Sequence, residues 1–364
     1  MECYCRRVMI ILFCGCILPT WVVGKQQVPC YFIFGDSLVD NGNNNHLVTF
    51  AKATYLPHGI DFDSGPTGRF CNGRNFADFT AELLGFTSHI PPYASSNWSN
   101  ILLGLNYASA AAGIRSETGH HLGDRITFDE QLSNHEMTVS SIIDILGGPH
   151  SASTYLHKCF YHIGFGSNDY LNNYFLSSVY DTNSMFTVEE FTKALIKQYR
   201  NQILKLYNYG ARKVALHGLG PIGCTPFELS RHSTDGSCVD YINTGVQLFN
   251  HHLKLLVDEL NNDTSLQDAK FIYLNFYDMT MEVLQHPAVF GLKVVDKACC
   301  GMGLNNGALT CLPFEFPCAD RNKYFFWDAY HSTEAANKIA SRRTYHALNQ
   351  SDAYPFDIYH LVHL

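Results

Sequence analysis

Positive charge is scarce in this chain of 364 residues: 25 lysines and arginines stand against 33 aspartates and glutamates, a formal net charge of -8 at pH 7. The excess of basic side chains that binds the phosphate backbone of nucleic acids is missing, so we expect no nucleic-acid partner. Charged residues of both signs make up only 16% of the chain, and hydrophobic residues 46%. Disorder needs the opposite balance, so the sequence predicts a folded protein with a large core.

Apolar runs long enough to cross a membrane are lacking too. The run Val8–Leu18 is well short of the roughly 20 residues that a membrane-spanning helix needs, and no later run is long enough. Two arginines precede this run and small residues follow it up to Gly24, the pattern of a secretory signal peptide. We interpret 1–24 as a signal cleaved after Gly24, with an uncleaved signal anchor as the alternative. Residues 25–364 then form a single domain, secreted and extracellular, with no integral membrane segment.

No Cys-x-x-Cys pair occurs and the histidines lack ligand spacing, so we expect no metal site. Of the 13 cysteines, nine follow the predicted signal, and an odd number leaves at least one thiol free or paired with another chain. We predict that Cys159, inside an apolar run, is the buried free thiol. Short-range disulfides are expected in the loops rich in glycine and proline: Cys224 with Cys238, and Cys299 or Cys300 with Cys311 or Cys318.

Three Asn-x-Ser/Thr triplets would be glycosylated if they are exposed in a secretory pathway. They are Asn97, Asn262 and Asn349. The first two lie in polar surroundings and are the better candidates, because such triplets also arise by chance.

Strand-like and helix-like periods alternate along the rest of the chain. Alternating strands and helices with crossover-length connections predict a parallel sheet covered on both faces, an α/β fold. The predicted strands are Cys30–Phe34, Leu103–Tyr107, Phe160–Phe165, Lys213–Leu216 and Phe271–Phe276. The predicted helices run from Phe76 to Leu83, from Val188 to Leu206 with a stop at Gly210, from Ile242 to Leu260, and onward from a cap at Ser332 or Thr333.

Active sites of such sheets lie beyond the carboxyl ends of the strands, and polar residues follow three of the predicted segments there. Ser37 sits on the turn that leaves the first strand and is a candidate nucleophile. Asp328 and His331 are close enough in one loop for the carboxylate to orient the imidazole. Asn168 follows another strand, where its amide could donate a hydrogen bond to an oxyanion. Each signal is weak alone, because serine, aspartate and asparagine are also ordinary turn residues.

Taken together, the segments Phe32–Asn44, Asn106–Ile114, Gly166–Tyr170 and Asp328–His331 resemble the four conserved blocks of the SGNH hydrolases. Within that superfamily the chain resembles the secreted plant GDSL esterase/lipase family across its whole mature length. The resemblance implies a three-layer α/β/α sandwich with a five-stranded parallel sheet, of the flavodoxin-like type. It implies no cofactor.

The resemblance also implies roles for single residues. Ser37 would be the nucleophile, His331 the base and Asp328 its orienting carboxylate. The oxyanion hole would consist of the Ser37 backbone N–H, a backbone N–H of the second block and the Asn168 side chain. Many relatives carry glycine where Ala111 stands here, so either Ala111 or Gly113 supplies the second donor, and we assign it to Gly113.

The expected function is that of a secreted serine esterase or lipase that hydrolyses carboxylic esters of small molecules or polymers. Alternatives on the same fold are an esterase for acetyl groups on carbohydrate or for phenolic acyl groups, and a secreted binding protein without turnover. A Gly-x-Ser-x-Gly elbow is absent, which argues against the α/β-hydrolase lipases. Asp40–Asn45 is rich in oxygen ligands but lacks the glycine and glutamate positions of a calcium loop, so we interpret it as a turn-rich loop beside Ser37.

Overall fold

The computed structural model describes residues 25–96 and 100–364. The predicted signal peptide, 1–24, and the glycosylation acceptor Asn97 lie outside the described residues. Both therefore stay predictions.

Strands and helices alternate through most of the described chain. The strands are β1 (Tyr31–Gly35), β2 (Phe160–Gly164), β3 (Lys213–His217), β4 (Lys270–Leu274), β5 (Val294–Ala298), β6 (Tyr324–Phe326) and β7 (Ala353–Tyr354). The helices are α1 (Phe76–Leu83), α2 (Phe128–Ile145), α3 (Pro149–Leu156), α4 (Ser167–Asp169), α5 (Thr182–Met185), α6 (Val188–Asn208), α7 (Pro226–His232), α8 (Asp240–Asn262), α9 (Phe276–Gln285), α10 (Glu334–Tyr345) and α11 (Ile358–His363).

The main sheet has five strands in the order β1-β2-β3-β4-β7. The first four are parallel, and β7 pairs antiparallel with β4. The predicted α/β fold with a five-stranded sheet is thus confirmed. The sheet was expected to be parallel, and four of its strands are, whereas the fifth strand is β7 and is antiparallel. A separate parallel pair, β5 with β6, was not predicted; its strands are short and separated by the long loop after residue 298.

The segment Leu103–Tyr107, predicted as a strand, is not a regular one. Ile33 in β1 donates its N–H to Leu105 O and accepts the N–H of Tyr107, so the segment runs beside the sheet edge. It begins with the last residue of a 3-10 turn, Ile101–Leu103, and Gly104 follows that turn with a φ of 104°. A Cβ at Gly104 would lie 2.0 Å from the Tyr31 carbonyl oxygen, so the chain crosses β1 too closely there for regular pairing.

Helices cover both faces of the sheet because successive strand residues point to opposite sides. On one face, Phe32 and Phe34 of β1 belong to a buried cluster with residues of α2, α3, α6 and α8. On the other face, Tyr31 and Ile33 pack with residues of α1, α9 and α11. This arrangement is the three-layer α/β/α sandwich expected from the sequence.

Local signals define the ends of the predicted helices. Thr187 caps α6: its hydroxyl accepts the Glu190 N–H while the Glu190 carboxylate accepts the Thr187 N–H. Gly210, at a φ of 108°, follows the end of that helix as predicted. At α10 the cap is Thr333, one of the two predicted candidates, whose hydroxyl accepts the Ala336 N–H.

Four disulfides connect eight of the nine cysteines in the described part of the chain. Cys224–Cys238 was predicted, and the open alternatives resolve as Cys299–Cys318 and Cys300–Cys311. The prediction that Cys159 is free was wrong, because it pairs with Cys30. Tyr31 lies opposite Phe160 in the β1–β2 register, so the two preceding cysteines start neighbouring strands side by side. Among the cysteines of 25–364, the free thiol is Cys71, which is buried, and burial raises its pKa.

None of the helices in 25–96 and 100–364 is long and apolar enough to cross a membrane.

Candidate active site

Ser37 lies on the turn that leaves β1 at its carboxyl end. The turn closes through the Val39 N–H, which donates to the Asp36 carbonyl, and through the Leu38 N–H, which donates to the Asp36 carboxylate at 3.0 Å. Asp36 is buried, and burial raises the pKa of its carboxyl to about 7 against the opposing effects of the Leu38 N–H and the nearby His331 ring. The turn leaves the Ser37 side chain half-exposed at the sheet edge.

The loop after β6 brings Asp328 and His331 to the same edge. His331 Nε2 lies 2.8 Å from Ser37 Oγ, and His331 Nδ1 lies 2.8 and 2.9 Å from the two carboxylate oxygens of Asp328. The Asp328 carboxylate also accepts the backbone N–H groups of Tyr330 and His331, which fixes the loop. The side chains that the sequence placed 294 positions apart are thus in direct contact.

Burial and charge act in opposite directions on Asp328. Its side chain is 1% exposed and that of His331 is 12% exposed. Burial acts to raise the pKa of the Asp328 carboxyl, but the adjacent His331 ring, together with His58 and the Tyr330 N–H, outweighs burial, so the pKa is lowered from its ordinary value. Asp328 is therefore an anion at neutral pH, held against the imidazole in a site with little water.

His58 was not singled out by the sequence. The indole N–H of buried Trp327 donates to His58 Nδ1 at 3.0 Å, so the proton of this ring is on Nε2. Burial lowers the pKa of His58 to about 4, with Asp328 opposing this shift. A neutral, buried imidazole therefore lines the pocket beside His331. An isolated histidine in a loop carries no sequence pattern that would have revealed it.

Asn168 reaches the same edge from the end of β2. Gly166 makes the turn at a φ of 123°, where a Cβ would meet Leu219 and Phe249. The Asn168 amide nitrogen donates to Ala112 O at 3.0 Å and lies 3.4 Å from an Asp36 carboxylate oxygen. Its amide N–H groups are therefore held between β1 and the second sequence block.

The neighbouring Asp169 fixes the second block. Its carboxylate accepts the backbone N–H groups of Ile114 and Arg115 and the hydroxyl of Thr118. Burial raises the pKa of this carboxyl to about 6, and those three hydrogen bonds oppose the shift. Gly113 faces this carboxylate: a Cβ there would lie 2.7 Å from both oxygens.

Ala111 and Gly113 have different surroundings. Ala111 lines the pocket that contains Ser37, His331 and Asn168, whereas Gly113 is not among its lining residues. Ala111 has a φ of 68°, in the left-handed region that a residue with a Cβ rarely adopts. Within 25–96 and 100–364, no group accepts a hydrogen bond from the backbone N–H of Ala111 or Ser37.

The loop Asp40–Asn45 lies next to Ser37, as predicted, and it holds the second block in place. One Asp40 carboxylate oxygen accepts the N–H groups of Gly42 and Asn43, and the other accepts the Ala110 N–H at 3.0 Å. Burial raises the pKa of this carboxyl to about 6, against these same hydrogen bonds. The side chains of Asn43 and Asn44 donate to carbonyls of the second block, at Asn106, Ala108 and Ala110.

The sequence reasoning missed this clamping role. Asparagine and aspartate favour local hydrogen bonds to the backbone, and such a dense run of them was the available signal. What the sequence could not show is that the bonded backbone belongs to a block more than 60 residues away.

A pocket of about 360 Å³ connects these groups. Ser37, Asn168 and His331, as the sequence predicted, surround one cavity. From there the pocket extends between α9 and α10, where its lining includes Met279, Val283 and Ala336. Its wall is mostly apolar, which suits an uncharged acyl group beside the polar cluster.

The other predicted modification sites are distributed over the surface. Asn262 at the end of α8 and Asn349 are exposed. Among the described residues, the grouping closest to a metal site is Cys300, Cys311 and Glu315, but its two sulfurs form a disulfide and cannot act as thiolate ligands.

Comparisons with known proteins match the whole chain. A family model described as GDSL-like Lipase/Acylhydrolase matches residues 31–344. Two Arabidopsis thaliana proteins named GDSL esterase/lipase are similar to it: one is 50% identical over 100% of both chains, and the other is 52% identical over 92% of each. GDSL esterase/lipase 7 of the same plant is 47% identical over 97% of this chain and 99% of its own. These matches confirm the resemblance drawn from the four sequence blocks.

Proposed function

The chain belongs to the GDSL esterase/lipase family and is a carboxylic ester hydrolase, and we propose that it cleaves esters through Ser37, His331 and Asp328. The observation that carries this proposal is the continuous chain of contacts from the Ser37 hydroxyl through both ring nitrogens of His331 to the Asp328 carboxylate. Because a serine hydroxyl is a weak nucleophile, it needs an adjacent base, and the base needs a partner that fixes its tautomer.

The proposed reaction proceeds in two halves. Ser37 Oγ attacks the ester carbonyl carbon while its proton passes to His331 Nε2, and the resulting imidazolium is stabilised by Asp328. As the tetrahedral intermediate collapses, the proton passes from His331 to the departing alcohol, which leaves an acyl group esterified to Ser37. Water, deprotonated by His331, then attacks this acyl group and releases the carboxylic acid, returning the proton to Ser37.

For the oxyanion we propose three donors: the backbone N–H of Ser37, the backbone N–H of Ala111 and the side-chain amide of Asn168. The amide of Asn168 would keep its 3.0 Å bond to Ala112 O and give up its long, 3.4 Å contact with Asp36 to the oxyanion. Ala111 replaces Gly113 in this role, because Ala111 lines the pocket and its N–H is unpaired among the described residues, whereas Gly113 faces the Asp169 carboxylate. Donors that are fixed before the reaction stabilise the developing charge without reorganising, which is commonly the largest contribution to catalysis.

The substrate we propose has an apolar acyl group, because the pocket beyond Ser37 is lined mostly by apolar side chains of α9 and α10. We also propose that the protein is secreted after cleavage at Gly24. Four disulfides within one domain support this, because such bonds persist in oxidising compartments.

The test is hydrolysis of a short-chain p-nitrophenyl ester by Ser37→Ala, with Ser133→Ala on the exposed surface of α2 as the matched control. We expect Ser37→Ala to lower kcat at least a thousandfold with an unchanged Tm, and the control to match the unmodified protein. A folded Ser37→Ala variant with undiminished activity would contradict the assignment of the nucleophile.

A further inference from the structure

Large apolar side chains project into solvent from two segments, 48–56 and 312–316, that adjoin residues lining the pocket. We name this group the apolar rim; its members are Val48, Phe50, Leu56, Leu312, Phe314 and Phe316. Its three phenylalanines are among the most exposed apolar residues of the described chain: Phe50 is 88% exposed, Phe314 81% and Phe316 96%. Because these rings lie in solvent, the favourable free energy of burying their apolar surface is not gained in the folded chain.

Hydrogen bonds place the two segments of the rim next to each other and next to the pocket. Phe50 lines the pocket, and its N–H donates to the carbonyl of Leu122, which also lines it. The Phe314 N–H donates to Leu56 O at 2.8 Å. The Tyr55 hydroxyl donates to Cys311 O at 3.0 Å, and Tyr55 is itself a pocket residue. The rim therefore borders the route by which a substrate reaches Ser37.

The segment that carries Phe314 and Phe316 is braced rather than loose. Cys311 and Cys318 flank it, and disulfides tie them to Cys300 and Cys299. Phe314 has a φ of 65°, a backbone conformation that is rare for an aromatic residue. Strained conformations persist where the surrounding structure enforces them, and they concentrate at functional sites. The fold thus holds these rings outward.

One carboxylate of the rim, Glu315, is turned away from its surface, and the other charged residue between rim members, Lys52, is half-buried in the pocket lining. The Glu315 side chain, between the two exposed phenylalanines, bends back and accepts the N–H groups of Gly301 and Leu312 at 3.1 and 3.0 Å. The carboxylate is therefore bound to backbone N–H groups within its own loop. The protein as a whole carries a net charge of -8, so an anionic surface would repel it, whereas an uncharged one would not.

We propose that the apolar rim docks this protein on an electrically neutral lipid surface, so that an ester can pass from that surface into the pocket. Separate rings projecting from convex loops fit a fluid lipid layer, which closes around each side chain, better than a preformed protein groove. Continuity of the rim with the apolar pocket gives an acyl chain an unbroken path from lipid to Ser37. The purpose of docking rests on the proposed function, but the docking itself needs no turnover.

The experiment measures co-sedimentation of Ser37→Ala with phosphatidylcholine vesicles, so that no substrate is consumed. We compare it with the same variant carrying Phe314→Asp and Phe316→Asp. The matched control carries Leu348→Asp, which alters an apolar residue that is 72% exposed but lies outside the pocket lining. We expect the rim variant to lose at least tenfold in vesicle partitioning and the control to change less than twofold.

Two further readouts separate this proposal from others. With Ser37 intact, the rim substitutions should lower the ratio of activity on vesicle-dispersed ester to activity on dissolved p-nitrophenyl acetate at least tenfold. Equal sedimentation of rim variant and parent would overturn the proposal, as would binding only to vesicles of anionic lipid. A dimer in light scattering that dissociates on rim substitution would also overturn it in favour of a second copy. Loss of esterase activity with retained vesicle binding would reject the proposed function alone.

Discussion

Replacing Asp328 by asparagine tests how the carboxylate acts on His331. The substitution keeps the side-chain shape but removes the charge, and it replaces one acceptor oxygen by an amide nitrogen. Both carboxylate oxygens lie within 2.9 Å of His331 Nδ1 in the native site. The asparagine therefore holds the ring less well in the tautomer that leaves Nε2 free to accept the Ser37 proton.

The magnitude follows from the distance. Two unit charges at the 2.8 Å separation of Asp328 Oδ1 and His331 Nδ1 attract by about 6 kcal/mol at an effective dielectric constant of about 20. At about 1.4 kcal/mol for each factor of ten, losing this attraction from the imidazolium transition state lowers kcat about 10⁴-fold. The asparagine oxygen still accepts the N–H groups of Tyr330 and His331, so the loop should keep its position.

The assay is kcat for a soluble p-nitrophenyl ester, with thermal unfolding measured alongside. Asp235→Asn, at an exposed loop aspartate, is the matched control and should leave kcat unchanged. If Asp328 acts through His331, adding Asp328→Asn to His331→Ala should cost less than threefold more. A loss below tenfold in the single variant, or full additivity in the double variant, would refute the reasoning.

Three other predictions concern the oxyanion donor Asn168, the loop Asp40–Asn45 and the buried carboxyl of Glu228. Asn168→Ala should lower kcat about a hundredfold or more by removing an oxyanion donor, and a loss under threefold would exclude it from the hole. Asp40→Ala should lower the free energy of unfolding by at least about 2 kcal/mol in urea titrations, because it strands the buried N–H groups that Asp40 accepts; a smaller loss would show that the clamp is dispensable. Burial raises the pKa of Glu228 to about 7, so the folded state favours the protonated form of this side chain. The protonated Glu228 therefore adds to the free energy of unfolding in full below about pH 4.5, and this contribution is lost as pH rises through about 7. In urea titrations the free energy of unfolding should therefore be up to about 3 kcal/mol lower at pH 8 than at pH 5, and Glu228→Gln should reduce this difference. A difference of the same size in that variant would count against the raised pKa of Glu228.

Some features of the fold and site could be read from local sequence. Ser37 follows an apolar strand directly, and Asp328 and His331 share one loop, so neighbouring positions carried the information. The helix ends at Thr187 and Gly210 are likewise short-range signals, since a cap depends on residues within one turn.

Other features depend on which distant segments become neighbours. The Cys30–Cys159 bond follows from the register of β1 against β2, and apolar sequence alone does not reveal a register. The irregular course of Leu103–Tyr107 depends on how closely Gly104 approaches β1. The choice between Ala111 and Gly113 depends on which of them faces the pocket, and two residues in one block cannot be separated by composition.

Covalent labelling tests the central claim most directly. A dialkyl p-nitrophenyl phosphate should react with the serine that His331 activates and leave a stable phosphoryl group on it, which peptide mass spectrometry locates. We expect one equivalent of label on Ser37, loss of esterase activity in step with labelling, and no labelling in His331→Ala. Label on a different residue, or full activity in protein quantitatively labelled at Ser37, would contradict it.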